Sequence, residues 1–375
     1  MEITGCKWRV LSESTKNVMT TDQPTFTIRQ NQGLRALLKS YFLTGLKLTD
    51  KPTVKVYRGF GNAQELTIHG SVLRRSALPR NKNRDYAWIN LLAVIRLFMV
   101  RPYAKAHVRV SFGEQTVYTK AAEDGYFRVT LPLPEPLPPG WHPVRAELLA
   151  DVDTTETVLA EGSSQVLVPH PTQIACISDI DDTFLVSHSA TILKRLQVLL
   201  TENAHSRQPF EGVVAHYQLL AEANSGPNRT NAFFYVSSSE WNLYDYILDF
   251  STVNGLPDGV YLLSQLKRFK DLLKTGQNKH TTKFNRIVRI IEAFPQQQFI
   301  LLGDDTQEDP TIYASVVEHF PGQIQCVYIR QVYRKNQPET RATLNRIEAA
   351  GVLCCYFAHS ADARQHSIDN GLVAS

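Results

Sequence analysis

The hydrophobic period of the chain changes once, near residue 170, and that change dictates what each half can fold into. Between residues 53 and 169 apolar side chains alternate with polar ones in short runs: Val54/Val56, Leu66/Ile68, Val108/Val110/Phe112, Thr116/Tyr118 and Phe127/Val129/Leu131. Turn formers separate the runs, notably Asp124-Gly125 and the proline-rich stretch 132–143. Alternation places one face of each strand on a core and the other in water, so this part predicts a small, mainly-β, sandwich-like domain built from antiparallel strands. A helix is expected to interrupt it at 86–98, where Trp88, Leu91, Leu92, Ile95 and Phe98 recur at helical spacing.

Beyond residue 171 the apolar runs become continuous: 174–177, 233–236, 299–302, 324–329 and 352–357. Such runs suit strands covered on both faces. They alternate with helical stretches at 191–200, 210–223 and 284–294, which predicts an α/β fold with an open parallel sheet and flanking helices. Ligands of such sheets bind at the carboxyl ends of the strands. The expected organisation is an N-terminal segment, 1–50, partly helical around 33–43; an accessory β domain, 51–169; and an α/β domain, 170–375. With 375 residues, two cores fit comfortably.

Composition excludes more than it assigns. The net charge is +4, from 40 basic and 36 acidic residues, too little to argue for nucleic acid. Cysteines stand at 6, 176, 326, 354 and 355, a pattern of neither a disulfide framework nor a metal clip, which favours a reducing compartment. No secretory signal is evident in the first 20 residues, and the longest apolar run, 91–100, contains Arg96 and is half of the ~20 residues a bilayer needs. A cytoplasmic protein is expected, peripheral to membranes at most.

The chemistry-bearing residues gather just after the apolar runs. The first is followed by Asp179-Ile-Asp181-Asp182-Thr183, the second by Ser237-Ser238-Ser239, and the third by Gly303-Asp304-Asp305-Thr306-Gln307-Glu308-Asp309. Lys283 opens the helix expected before the 299–302 strand. Carboxylates, a hydroxyl and an ammonium thus converge on one rim.

In that order the motifs resemble those of the haloacid dehalogenase superfamily of phosphotransferases, which implies a HAD-like parallel sheet. More narrowly, DIDDT, YVSSSEW, GDDTQEDPTIY and YIR, with YRGFG and DGYFRVTLP upstream, resemble the actin-patch-protein type of phosphatidate phosphatase. The chain departs from that family's pattern at Glu240, at Asp305-Thr306 and at Thr282. The resemblance implies hydrolysis of a phosphate monoester, phosphatidate, through an aspartyl-phosphate. It assigns Asp179 as nucleophile, Asp181 as general acid and then base, and Lys283 as the cation pairing with Asp179 and the phosphate. Thr183, Ser237 and Ser238 fall to substrate binding. Asp179, Asp181, Asp304 and Asp309 fall to Mg²⁺. A carboxylate meets an anionic phosphate only where positive charge offsets both, which is the physical need for metal and lysine together. The alternatives are a phosphatase of another substrate and a catalytically silent lipid- or protein-binding module.

Several of these residues have rivals nearby. Asp151-Val-Asp-Thr-Thr155 repeats the first motif but reads as a hairpin turn. Ser238 and Ser239 compete with Ser237, Lys274 and Lys279 with Lys283, and Asp305 and Glu308 with Asp304 and Asp309. Basic runs at 267–289, with eight Lys/Arg, and at 74–109, with nine, are candidate contacts for an anionic membrane surface. Gly59-Phe-Gly61 lacks the context of a dinucleotide loop.

Overall fold

The computed structural model describes residues 48–49, 51–77, 100–150, 157–170, 174–180, 212–223, 229–264 and 278–373. The helices expected at 33–43, 86–98 and 191–200 lie outside them. So do Asp181, Thr183, the second Asp-x-Asp copy at 151–155, and residues 78–99 and 267–277 of the two basic runs.

The alternating segments form strands β1 (Leu48–Thr49), β2 (Thr53–Val56), β3 (Gly59–Gly61), β4 (Glu65–Ala77), β5 (Arg101–Pro102), β6 (His107–Phe112), β7 (Gln115–Lys120), β8 (Tyr126–Pro132), β9 (Gly140–Leu149) and β10 (Val158–Val168). The long β4 carries β2 and β3 on one edge and β8 on the other, while β10, β9, β6 and β7 follow one another through β3. Inward side chains from both groups of strands, among them Val54, Ile68, Val110, Val129, Ala146 and Val166, share one core. The pairing is antiparallel except between β3 and β10, which run parallel, a departure from the all-antiparallel expectation. The β9 and β10 strands flank the 151–155 segment in antiparallel register, Leu149 opposite Val158.

Beyond residue 173 the strands are β11 (Ile174–Asp179), β12 (Ala232–Glu240), β13 (Gly259–Ser264), β14 (Gln298–Asp304), β15 (Ile324–Arg330) and β16 (Leu353–Phe357), all parallel, in the order 13-12-11-14-15-16. Helices α1 (Val213–Glu222), α2 (Tyr244–Val253), α3 (Asn278–Ala293), α4 (Asp309–His319), α5 (Gln337–Ala349) and α6 (Ser360–Asp369) cover both faces. The period of two divides each strand between the layers. Cys176, Tyr235, Ile300 and Tyr328 pack with α1, α2 and α6, whereas Ile177, Phe234, Leu301 and Val327 pack with α3, α4 and α5. That double burial is why the sequence shows continuous apolar runs here. Cys176, Cys326, Cys354 and Cys355 are free thiols. No described helix is long and apolar enough to cross a membrane.

Residues 46–375 form one compact unit, and the YRGFG segment joins its two sheets. Tyr57 enters the core on one face of the parallel sheet and Phe60 the core on the other. Arg58 donates its amide to Tyr244 Oη at 2.9 Å and its Nη1 to Asp258 Oδ1 at 3.0 Å. Gly59 is required by closeness: a Cβ there would stand 2.3 Å from the carbonyl oxygen of Thr67. The two glycines therefore belong to a strand that wedges against the α/β layers.

Candidate functional site

The chain enters the parallel sheet at β11, runs outward through β12 and β13, then returns to the other side of β11 at β14. The direction of travel reverses between β11 and β14, and adjacent loops part there to leave a crevice at the carboxyl ends. Asp179 ends β11 and Asp304 ends β14. Helices that follow parallel strands begin at this same rim, which delivers Asp309 in the first turn of α4, with Pro310 suited to a helix start. Lys283 comes from α3. It lies in the second turn, since α3 begins at Asn278 rather than at Lys283 as the sequence suggested. Its position shares a stripe with Ile287, Ile290 and Ile291, which pack on the sheet, so the stripe carries the ammonium inward.

Four charged side chains meet at the crevice, all buried: Asp179, Lys283, Asp304 and Asp309. Lys283 Nζ donates to Asp179 Oδ1 at 2.6 Å and to Asp309 Oδ1. The Asp304 amide donates to Asp309 Oδ2 at 3.4 Å, and the Thr306 amide donates to Asp304 Oδ1 at 2.6 Å. Gly303 leaves room for this approach, because a Cβ would stand 2.7 Å from Asp309 Oδ2 and 2.9 Å from the Tyr313 ring.

Burial shapes the ionisation of the cluster. It pushes the Asp304 carboxyl up to about 7, with the neighbouring Asp309 adding to the rise and Thr306 opposing it. For Lys283 burial pulls downward, but Asp179 and Asp309 more than offset it and hold the ammonium above the usual lysine range. Asp179, Asp304 and Asp309 each offer an oxygen, all within 4.8 Å of one another. Three carboxylates against one ammonium leave negative charge in a desolvated crevice, and an oxygen-only donor set suits a hard divalent cation.

Ser237 is buried within β12, one residue past Val236, which pairs with Asp179. The Ser239 amide donates to its Oγ at 2.8 Å, while Ser238 and Ser239 are half-buried. Of the rivals, Asp305 points elsewhere. Its Oδ1 accepts from the amides of Val332 and Tyr333, at 2.7 and 3.0 Å, and its Oδ2 from Tyr356 Oη at 2.7 Å. Arg330, in register with Asp304 on β15, donates to Ser360 Oγ at 2.7 Å and lies over the Phe357 ring.

The basic run at 267–289 is not one solvated face. Lys283 and Arg286 are both buried, so neither is available to a membrane surface. Arg286 donates Nη1 to the Ser237 carbonyl oxygen and Nη2 to Ser264 Oγ, each at 2.7 Å. A count of charges hides this residue. The legible signal was its spacing, one helical turn after Lys283 on the same face.

Residues 174–331 match the family described as phosphatidate phosphatase APP1, catalytic domain. Phosphatidate phosphatase APP1 of Saccharomyces cerevisiae is 29% identical over 162 residues, which are 43% of this chain and 26% of that protein. An uncharacterized protein of Schizosaccharomyces pombe is 26% identical over 191 residues, 50% of this chain and 30% of that protein. The chain matches less than a third of the length of these two relatives. Among solved structures, a carbohydrate acetylesterase from Xanthomonas citri aligns with 83% of this chain and 67% of its own at 12% identity, with a TM-score of 0.28, too low to carry an argument.

Proposed function

We propose that the chain hydrolyses a phosphate monoester, phosphatidate, on a HAD-like α/β scaffold, a reading supported by the match of residues 174–331 to the phosphatidate phosphatase APP1 catalytic-domain family. The observation that carries the reading is the bridging of Asp179 and Asp309 by the buried Lys283 ammonium, with Asp304 beside them at the reversal point of the sheet. A buried cation between two carboxylates is more than packing needs, and it suits a site that receives a dianion.

In this reading Asp179 is the nucleophile. One carboxylate oxygen forms a bond to phosphorus as the bond to the ester oxygen breaks, and the ester oxygen takes its proton from Asp181. Water then attacks the aspartyl-phosphate and gives a proton to Asp181, which releases inorganic phosphate and restores the Asp179 carboxylate. Lys283 draws charge from Asp179 and from the transferred phosphoryl group. Ser237 donates a hydrogen bond to a phosphoryl oxygen, and Ser238 and Thr183 are assigned to substrate binding with it. Asp179, Asp304 and Asp309, with Asp181, would hold Mg²⁺, whose chemistry there is to offset the negative charge gathered when a phosphate meets a carboxylate.

The substrate class rests on the family, since phosphatidate is what the yeast relative's name specifies. A phosphorylated lipid implies work at a membrane surface, and the buried Lys283 and Arg286 leave that contact to other residues. The test is a phosphate-release panel that sets phosphatidate in mixed micelles beside soluble phosphate monoesters, each with and without Mg²⁺. Mg²⁺-dependent release, highest on the micellar lipid, is the expected result. Release from soluble esters alone would move the assignment to a small metabolite, and no release from any substrate would favour a silent binding module.

A further inference from the structure

We propose that Arg286 is a positioning residue for the phosphate-binding serine, holding the irregular stretch of β12 so that the Ser237 hydroxyl keeps its place one residue past the Asp179–Val236 strand pair. This rests on the phosphatase reading and adds to it a residue that no motif contains. β12 and β13 pair residue for residue from Phe233/Gly259 to Val236/Leu262, and pairing resumes only at Glu240/Ser264. Ser237, Ser238 and Ser239 thus stand opposite Leu263 alone. A bulge of this kind re-aims side chains, and it also leaves backbone groups that the ladder does not satisfy.

Arg286 closes that gap. Its Nη1 donates to the Ser237 carbonyl oxygen and its Nη2 to Ser264 Oγ, both at 2.7 Å, so one guanidinium spans the two strands on either side of the irregularity. A planar fork with two parallel donors fits this task, and a single ammonium does not. The Ser237 Oγ is held from another direction by the Ser239 amide. Arg286 is also one turn along α3 from Lys283, whose ammonium reaches Asp179. One helix therefore sets two distances at once, the cation to the nucleophile and the serine to the phosphate.

The experiment uses the full chain, para-nitrophenyl phosphate as the soluble probe, and inorganic phosphate as competitor. Arg286→Lys keeps the charge and loses the fork. It is expected to raise KM and the phosphate inhibition constant about tenfold, the worth of one charge-assisted hydrogen bond, with kcat changing less. Ser264→Ala removes one acceptor and should raise both roughly threefold. In a Ser237→Ala background neither change should weaken phosphate further, because the hydroxyl they position is gone. A purely structural arginine would instead lower the folded, active fraction and leave KM and the phosphate constant unchanged, which overturns the proposal. Losses that simply add to those of Ser237→Ala overturn it as well. Should Arg286→Lys fail to fold, Ser264→Ala carries the same comparison alone. A wild-type chain that releases phosphate neither from the probe nor from phosphatidate in mixed micelles, and does not bind phosphate, removes both readings, whereas an active wild type with unaltered variants removes only this one.

Discussion

Tyr57, from the loop between β2 and β3, stacks on Trp241 just after β12, with ring centroids 4.2 Å apart and planes 14° from parallel. His69 of β4 and Tyr126 of β8 close on the same indole at 5.2 and 5.8 Å. Trp241 is four residues past Ser237, so the β-rich region grips the segment that leads out of the candidate site. The two sheets are therefore joined by a packed aromatic cluster as well as by backbone, and the region before residue 170 is part of what holds the site rigid.

Tyr57→Ala should accordingly destabilise the whole unit by about 3–5 kcal/mol, the range for emptying a buried aromatic position. Tyr57→Phe should cost far less, because the stacked ring survives. Paired thermal melts of the two variants check this. If the alanine variant melted with the wild type, the contact would be incidental.

Asp179→Asn keeps shape and hydrogen bonding while removing the negative charge. Lys283 retains Asp309, so the buried ammonium is not stranded and the melting temperature should stay within a few degrees of wild type. Turnover should fall by about 10³-fold or more, the scale seen when a nucleophile is removed. Near-normal phosphate release from a well-folded Asp179→Asn protein would rule out the covalent route.

Much of this was legible in the sequence, for identifiable reasons. Continuous apolar runs announce strands buried on both faces, and the 174–177 and 299–302 runs place Asp179 and Asp304 at strand ends without any structure. Burial was less legible. Arg286 reads as one charge in a basic run because a linear count cannot tell which face of α3 it occupies. YRGFG invites comparison with phosphate loops, yet its glycines serve close backbone approach and its aromatic rings serve packing. Asp305 stands next to Asp304 in a run of carboxylates, and only its hydrogen bonds show it turned towards the 332–333 backbone. Period reveals which elements form. It does not reveal which neighbour a polar side chain will find.

Gly303 offers a test of how tightly the carboxylates must pack. A methyl group at this position would stand 2.7 Å from Asp309 Oδ2 and 2.9 Å from Tyr313, closer than real Cβ contacts come. Gly303→Ala should therefore push Asp309 off Lys283, cost about 1–3 kcal/mol through overpacking, and raise the Mg²⁺ concentration needed for half-maximal activity. Titration of activity with Mg²⁺ reads the last effect directly. An unchanged midpoint would mean that Asp309 does not contribute to the metal site.

The aromatic cluster also predicts how stability responds to acid. Burial, reinforced by the charge of Arg128, lowers the His69 imidazole from 6.5 to about 4, so the folded chain keeps it neutral where the unfolded chain would protonate it. The sign follows from that difference. Above pH 6.5 both states leave the ring neutral and the full stability is present. As pH falls from 6.5 towards 4, the unfolded state takes up a proton that the folded state refuses, and stability is lost at about 1.4 kcal/mol per pH unit for this one group, roughly 3 kcal/mol in all. Below about 4 the folded state protonates too and this contribution to the slope ends. His69→Gln removes the titration while keeping a polar group of similar reach. Denaturant melts of wild type and His69→Gln at half-unit steps from pH 8 to pH 4 should run parallel above 6.5 and converge below it, because the wild type falls faster. Parallel curves across the whole range would show that His69 is protonated alike in both states and that the cluster around Trp241 is more open to water than its packing implies.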